Sequence, residues 1–127
     1  MWKSELLELV KQFIHPAWGI THFERIYELS IQLAEMANTD IDEDSLFAAA
    51  YLHDIGAFDP YSQKGKDHSE IAVIESEKIL VSMDFPEEKI ALVKDITAGM
   101  ALLAVIFSAI IGIIIFFPYF KELVIKN

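Results

Sequence analysis

The 127-residue chain contains no cysteine. This excludes disulfide bonds and thiolate metal ligands, and it fits a reducing compartment. The amino-terminal stretch MWKSELLELVKQFIH carries charges throughout and lacks the apolar core of a signal peptide. We therefore expect no cleaved secretion signal.

Basic residues are also scarce, with 10 Lys and Arg against 20 Asp and Glu, which gives a net charge of −10. A nucleic-acid polymer is a polyanion that binds basic surfaces, so we expect no nucleic-acid partner of this kind. The length suits a single domain with one core.

The chain lacks the alternating pattern of β-strands, and apolar residues recur at helical spacing up to about residue 96. The first helical segment is expected to end before His15-Pro16. A second helix is predicted from the capping box T-H-F-E, with Thr21 at the N-cap. The residues expected on its buried face are Ile26, Leu29, Leu33 and Ala37.

Three further helices follow in this interpretation. LFAAAYLHDI is predicted to end at Gly56 in a left-handed conformation. A second capping box, D-H-S-E, opens a helix from Asp67 to about Met83. Pro86 suits the first turn of a fifth helix. The sequence thus predicts an all-α bundle of about five helices.

No charged residue occurs from 96 to 120, which is long enough to cross a bilayer as a helix. Aromatic residues beside Lys121 resemble an interfacial belt. We therefore divide the chain into a helical domain (1–95), an apolar helix predicted to anchor the domain in a membrane (96–120) and a short polar tail (121–127). The alternative is a core helix that packs against the others in a soluble domain.

Three of the four histidines are predicted at helix ends. His22 and His68 each follow an N-cap by one residue, and His53 lies three residues before Gly56. Imidazole nitrogen and carboxylate oxygen together suit transition metals and zinc better than calcium. The adjacent pair His53-Asp54 therefore predicts part of a metal site.

These histidines, in GITHFERIYELS, AAYLHDIGAF and DHSEIAVIESEKIL, resemble the ordered motifs of the HD superfamily of metal-dependent phosphohydrolases. The resemblance covers roughly residues 19–96. It implies a helical bundle that holds one or two divalent metal ions, of Mn, Fe, Ni, Co, Zn or Mg. The metal ligands that it implies are His22, His53, Asp54 and His68, where Asp54 is also catalytic and His68 serves a second metal.

The implied function is hydrolysis of a nucleotide or another small phosphate by metal-activated water. Arg25, Lys64 and Lys66 are candidate phosphate-binding residues, although a solvated surface charge is the commoner role of such residues. The uncharged segment predicts a membrane-anchored protein, and its HD-like part is expected in the cytoplasm, where such phosphate substrates occur. The alternative location is soluble and cytoplasmic.

The chain departs from the family pattern after His68. The family supplies a last Asp ligand from a later helix, but no histidine follows His68 and no Asp follows Asp95. Asp95 lies too early in the pattern to be assigned as that ligand. The sequence therefore leaves two functions open, an active phosphohydrolase and an inactive HD-like module that binds a ligand or a protein.

Overall fold

The computed structural model describes residues 1–13 and 19–100, and these residues are helical without any strand. The helices are α1 (Trp2–Val10), α2 (Ile20–Met36), α3 (Glu43–Leu52), α4 (His68–Ser82) and α5, which is described over 90–100. Two short 3₁₀ turns lie at Ile55–Ala57 and Glu87–Lys89. The predicted all-α class is confirmed for the described residues.

Helix α3 lies at the centre of the bundle and contacts α1, α2 and α4. Three successive alanines, residues 48–50, are completely buried in it. Small side chains let neighbouring helices approach closely, and alanine also has the highest helix propensity. The other buried residues of α3 are Ser45, Leu46, Tyr51 and Leu52. Seven of the ten residues of α3 are buried, so its carboxyl end at Tyr51 and Leu52 belongs to the core.

The two predicted N-caps, Thr21 and Asp67, can be compared with the structure. Asp67 is the N-cap of α4, as predicted, and its carboxylate accepts a hydrogen bond from the Ser69 N–H. The N-cap of α2 is Gly19, so the prediction of Thr21 is wrong by two residues. Gly19 has a φ of 148°, a conformation that side-chain-bearing residues rarely adopt.

Gly56 does not end α3 in a left-handed conformation, which corrects that prediction. Helix α3 ends at Leu52, and Gly56 lies inside the 3₁₀ turn Ile55–Ala57 without a positive φ. The turn is buried against the start of α4. Glycine is needed here because the backbone of His68 lies too close for a Cβ atom, and not because the residue adopts a left-handed φ.

The predicted buried face of α2 is largely wrong. Phe23 is the completely buried residue of this helix, whereas Leu29 and Leu33 are 52% and 50% exposed. Ala37 is exposed as well, and Ile26 is partly buried. The exposure of Leu29, Leu33 and Met36 shows that the second half of α2 packs against little among the described residues.

Helix α5 brings the first part of the predicted apolar segment into the core. Thr97 is buried, and Ile96 and Met100 pack partly against the hydrophobic cluster. Among the described residues, no helix combines the length and the apolar composition needed to cross a membrane. Residues 101–120, which carry most of the predicted apolar helix, lie outside the described residues.

Candidate metal centre

His53 and Asp54 follow directly after the buried helix α3. The imidazole of His53 lies 2.6 Å, through Nδ1, from the backbone carbonyl oxygen of Ala50. A carbonyl can only accept a hydrogen bond, so Nδ1 carries the proton and donates it. The unprotonated Nε2 of a neutral His53 is then available to bind a cation.

His22 comes from the first turn of α2 and faces the same point. Its Nε2 lies 3.3 Å from Oδ2 of Asp54, and Nε2 of His53 lies 3.0 Å from the same oxygen. The centroids of the two imidazole rings are 5.6 Å apart. The completely buried Phe23 packs edge-on against His53, with ring centroids 6.0 Å apart. Packing of α2 on α3 thus brings residues from distant parts of the sequence together.

The three side chains are sheltered but still open to solvent. The exposed fraction of the side chain is 30% for His22, 12% for His53 and 21% for Asp54. Burial raises the pKa of Asp54, but the hydrogen bond with His53 and the positive charge available on His53, His22 and His68 together outweigh it. The pKa of Asp54 is therefore lowered, and the carboxylate is favoured.

This donor set fits a divalent metal ion. One ligand atom from each of His22, His53 and Asp54 lies within 4.8 Å of the other two. With Nδ1 of His53 donating to the Ala50 carbonyl, Nε2 faces Oδ2 of Asp54 at 3.0 Å, and this contact is favourable with a cation between the two atoms. That cation is either a second proton on His53, which makes the hydrogen bond to Asp54, or a metal ion that replaces it. Two imidazoles and a carboxylate suit zinc and the first-row transition metals.

The structure does not place His68 within this group of three. Its side chain is half exposed, and its Nδ1 lies 3.9 Å from Oδ1 of Asp67. It is still close enough to Asp54 to help lower the pKa of that carboxyl. A role for His68 at a second metal therefore stays a prediction.

The three predicted phosphate-binding residues, Arg25, Lys64 and Lys66, are exposed. Arg25 lies on α2, one turn after His22, and the two lysines lie in the loop that leads to α4. Asp95 on α5 is exposed too, and it does not join the group of three. The geometry thus supports a three-ligand centre, whereas the phosphate-binding roles stay predictions.

The role of the Ala50 backbone carbonyl, which orients His53, was not predicted from the sequence. A usable signal exists, because a histidine just past the end of a helix can reach a carbonyl three residues earlier. The role of Phe23, which supports the ring of His53 from the core side, was not predicted either.

Comparison with known proteins agrees with this geometry. The sequence model of the HD domain family matches residues 19–107, which include the three clustered side chains and most of the described helices. No curated protein and no solved structure matches the chain. The family match spans well over half of the sequence, and the chain belongs to the HD domain family.

Proposed function

We propose that the protein is a metal-dependent phosphohydrolase that acts on a nucleotide or another small phosphate. The single observation that carries this proposal is the convergence of two imidazole Nε2 atoms on one oxygen of Asp54. In this proposal His22, His53 and Asp54 hold a divalent metal ion. The metal would lower the pKa of a bound water molecule towards neutrality, and it would polarise a phosphoryl oxygen of the substrate.

The protein groups have distinct roles in this proposal. The Ala50 carbonyl keeps the proton of His53 on Nδ1. The lowered pKa of Asp54 keeps its carboxylate charged, so it can bind the cation and accept a hydrogen bond from attacking water. Partial exposure of the three side chains leaves a path for the substrate.

Positive side chains close to the site residues in the sequence would bind the substrate. Arg25 follows His22 by one helical turn, and Lys64 and Lys66 precede α4. Phosphate oxygens bind strongly to guanidinium and ammonium groups.

An inactive HD-like binding module is the second candidate function. It is favoured by the absence of a fourth side-chain ligand from the group formed by the described residues, where Asp95 is exposed. Three protein ligands with an open position do occur in catalytic zinc sites, so the three-ligand set is compatible with activity as well.

Metal analysis and a phosphatase screen separate the two functions. We expect the purified chain to bind a divalent metal and to hydrolyse at least one small phosphate with Mn, Ni, Co or Mg. Asp54→Asn should lose both metal and turnover, since the amide removes the charge with little change in shape. Asp95→Asn is the matched control and should change neither. Bound metal without turnover on any phosphate would favour the binding module.

Residues 96–100 of the uncharged segment belong to α5 and pack on the core, so for residues 101–120 we keep membrane anchoring as the proposal and core packing as its alternative. Its support is the uncharged sequence, and the HD-like part would then lie in the cytoplasm, where small phosphates are abundant.

A further inference from the structure

The 3₁₀ turn after Asp54 lies directly against the first turn of α4. Ile55 and Gly56 are both buried there. A Cβ atom built on Gly56 would overlap the carbonyl oxygen of His68 and lie 2.9 Å from Cβ of Ile71. Contacts this short are essentially never seen for real Cβ atoms. Any side chain at Gly56 would therefore force the turn and α4 apart.

The turn is coupled to the candidate metal ligand through the backbone. The Ala57 N–H donates to the Asp54 carbonyl at 3.0 Å, and the Phe58 N–H donates to the Ile55 carbonyl at 3.1 Å. The first of these bonds ties the Asp54 backbone to the turn, and the second holds the turn together. A shift of Gly56 away from α4 would therefore move Asp54 as well.

We propose that Gly56 is a positioning residue for the metal centre. By letting the His68 backbone approach, it holds Oδ2 of Asp54 at 3.3 Å and 3.0 Å from Nε2 of His22 and His53. Metal sites need their ligands within roughly 0.5 Å of the productive geometry, so a small displacement of the turn matters. This inference rests on the metal centre proposed above.

The test compares Gly56→Ala with Gly99→Ala. Among the described residues, a Cβ at Gly99 meets no atom within 4 Å beyond its chain neighbours and its own helix backbone, so this variant adds the same methyl group without the clash seen at Gly56. Mn²⁺ affinity is measured by titration calorimetry, folding by circular dichroism, and the position of Asp54 by a crystal structure of each metal-free protein. Gly56→Ala should bind Mn²⁺ about 10- to 100-fold more weakly, the usual cost of losing support around a metal ligand. Gly99→Ala should bind like the wild type.

A second pair of variants loosens the same contact from the side of α4. The Asp67 carboxylate caps this helix by accepting from the Ser69 N–H at 3.1 Å. Asp67→Ala should free the first turn and weaken Mn²⁺ binding. Asp67→Asn should bind Mn²⁺ like the wild type, because asparagine caps a helix about as well as aspartate does, without the charge. If Gly56→Ala does not fold, this pair tests whether the contact between the turn and α4 positions Asp54.

A folded Gly56→Ala with wild-type Mn²⁺ affinity and an unmoved Asp54 would overturn the inference. If Gly56→Ala is unfolded, wild-type Mn²⁺ affinity in Asp67→Ala would overturn it instead. A wild type that binds no Mn²⁺ would sink the metal centre itself. The metal-free structures would then still show whether Asp54 moves when either contact is disturbed.

Discussion

At the residue scale, the contrast between His53 and His68 makes a direct prediction. Nε2 of His53 faces Asp54 from a sheltered position, whereas the side chain of His68 is half exposed and outside the group of three. His53→Ala should therefore lose the bound metal. His68→Ala should keep one metal ion per chain and weaken its binding less. Metal content by mass spectrometry after dialysis checks this, and equal loss in both variants would show that His68 binds the same ion.

At the element scale, the N-terminus of α3 is joined to the chain before α5. One carboxylate oxygen of Asp42 accepts from the Ser45 N–H at 3.1 Å, and the other accepts from Nζ of Lys89 at 3.0 Å. Loss of an N-cap costs about 1 kcal/mol. Asp42→Ala should therefore lower the free energy of unfolding by about 1 kcal/mol or more, measured by urea denaturation at neutral pH. Asp42→Asn should lose less, because the amide still caps the helix.

The same cap predicts how stability depends on pH. Hydrogen bonds from Ser45 first, and then from Lys89, lower the pKa of Asp42. A carboxyl with a lowered folded pKa stabilises the fold above its unfolded pKa, and this contribution is lost as pH falls through the folded value. The stability difference between wild type and Asp42→Asn should thus be full above about pH 5 and vanish in acid. A difference that grows as pH falls would contradict this account.

At the scale of the whole molecule, the apolar segment 96–120 predicts how the protein partitions. Apolar residues near a span centre each favour insertion by about 0.3 to 0.6 kcal/mol, whereas a lysine there opposes it by about 2.5 to 3.5 kcal/mol. The full chain should stay with membranes through carbonate extraction. Val105→Lys combined with Ile110→Lys should be released, and Val105→Leu combined with Ile110→Leu should not. Release of the unmodified chain without detergent would favour the core-helix alternative.

Helical periodicity predicted much of the fold because it depends on residues close together in sequence. The sequence indicated five helices, the cap at Asp67 and the end of α4 near Met83, and the structure has them. It did not predict which part of α2 is buried. Leu29 and Leu33 have the right spacing for a core face, but burial also needs another element opposite them, and they are half exposed.

For the candidate site, the sequence by itself determined the chemistry of the side chains and the adjacency of His53 and Asp54. These follow from residue type and order alone. Only the tertiary structure decided that His22 meets Asp54, that the Ala50 carbonyl orients His53, and that Gly56 serves close approach instead of a left-handed turn. The physical reason is that each of these contacts depends on how one helix packs on another, to within a fraction of an ångström, and packing at that precision is set by the whole core.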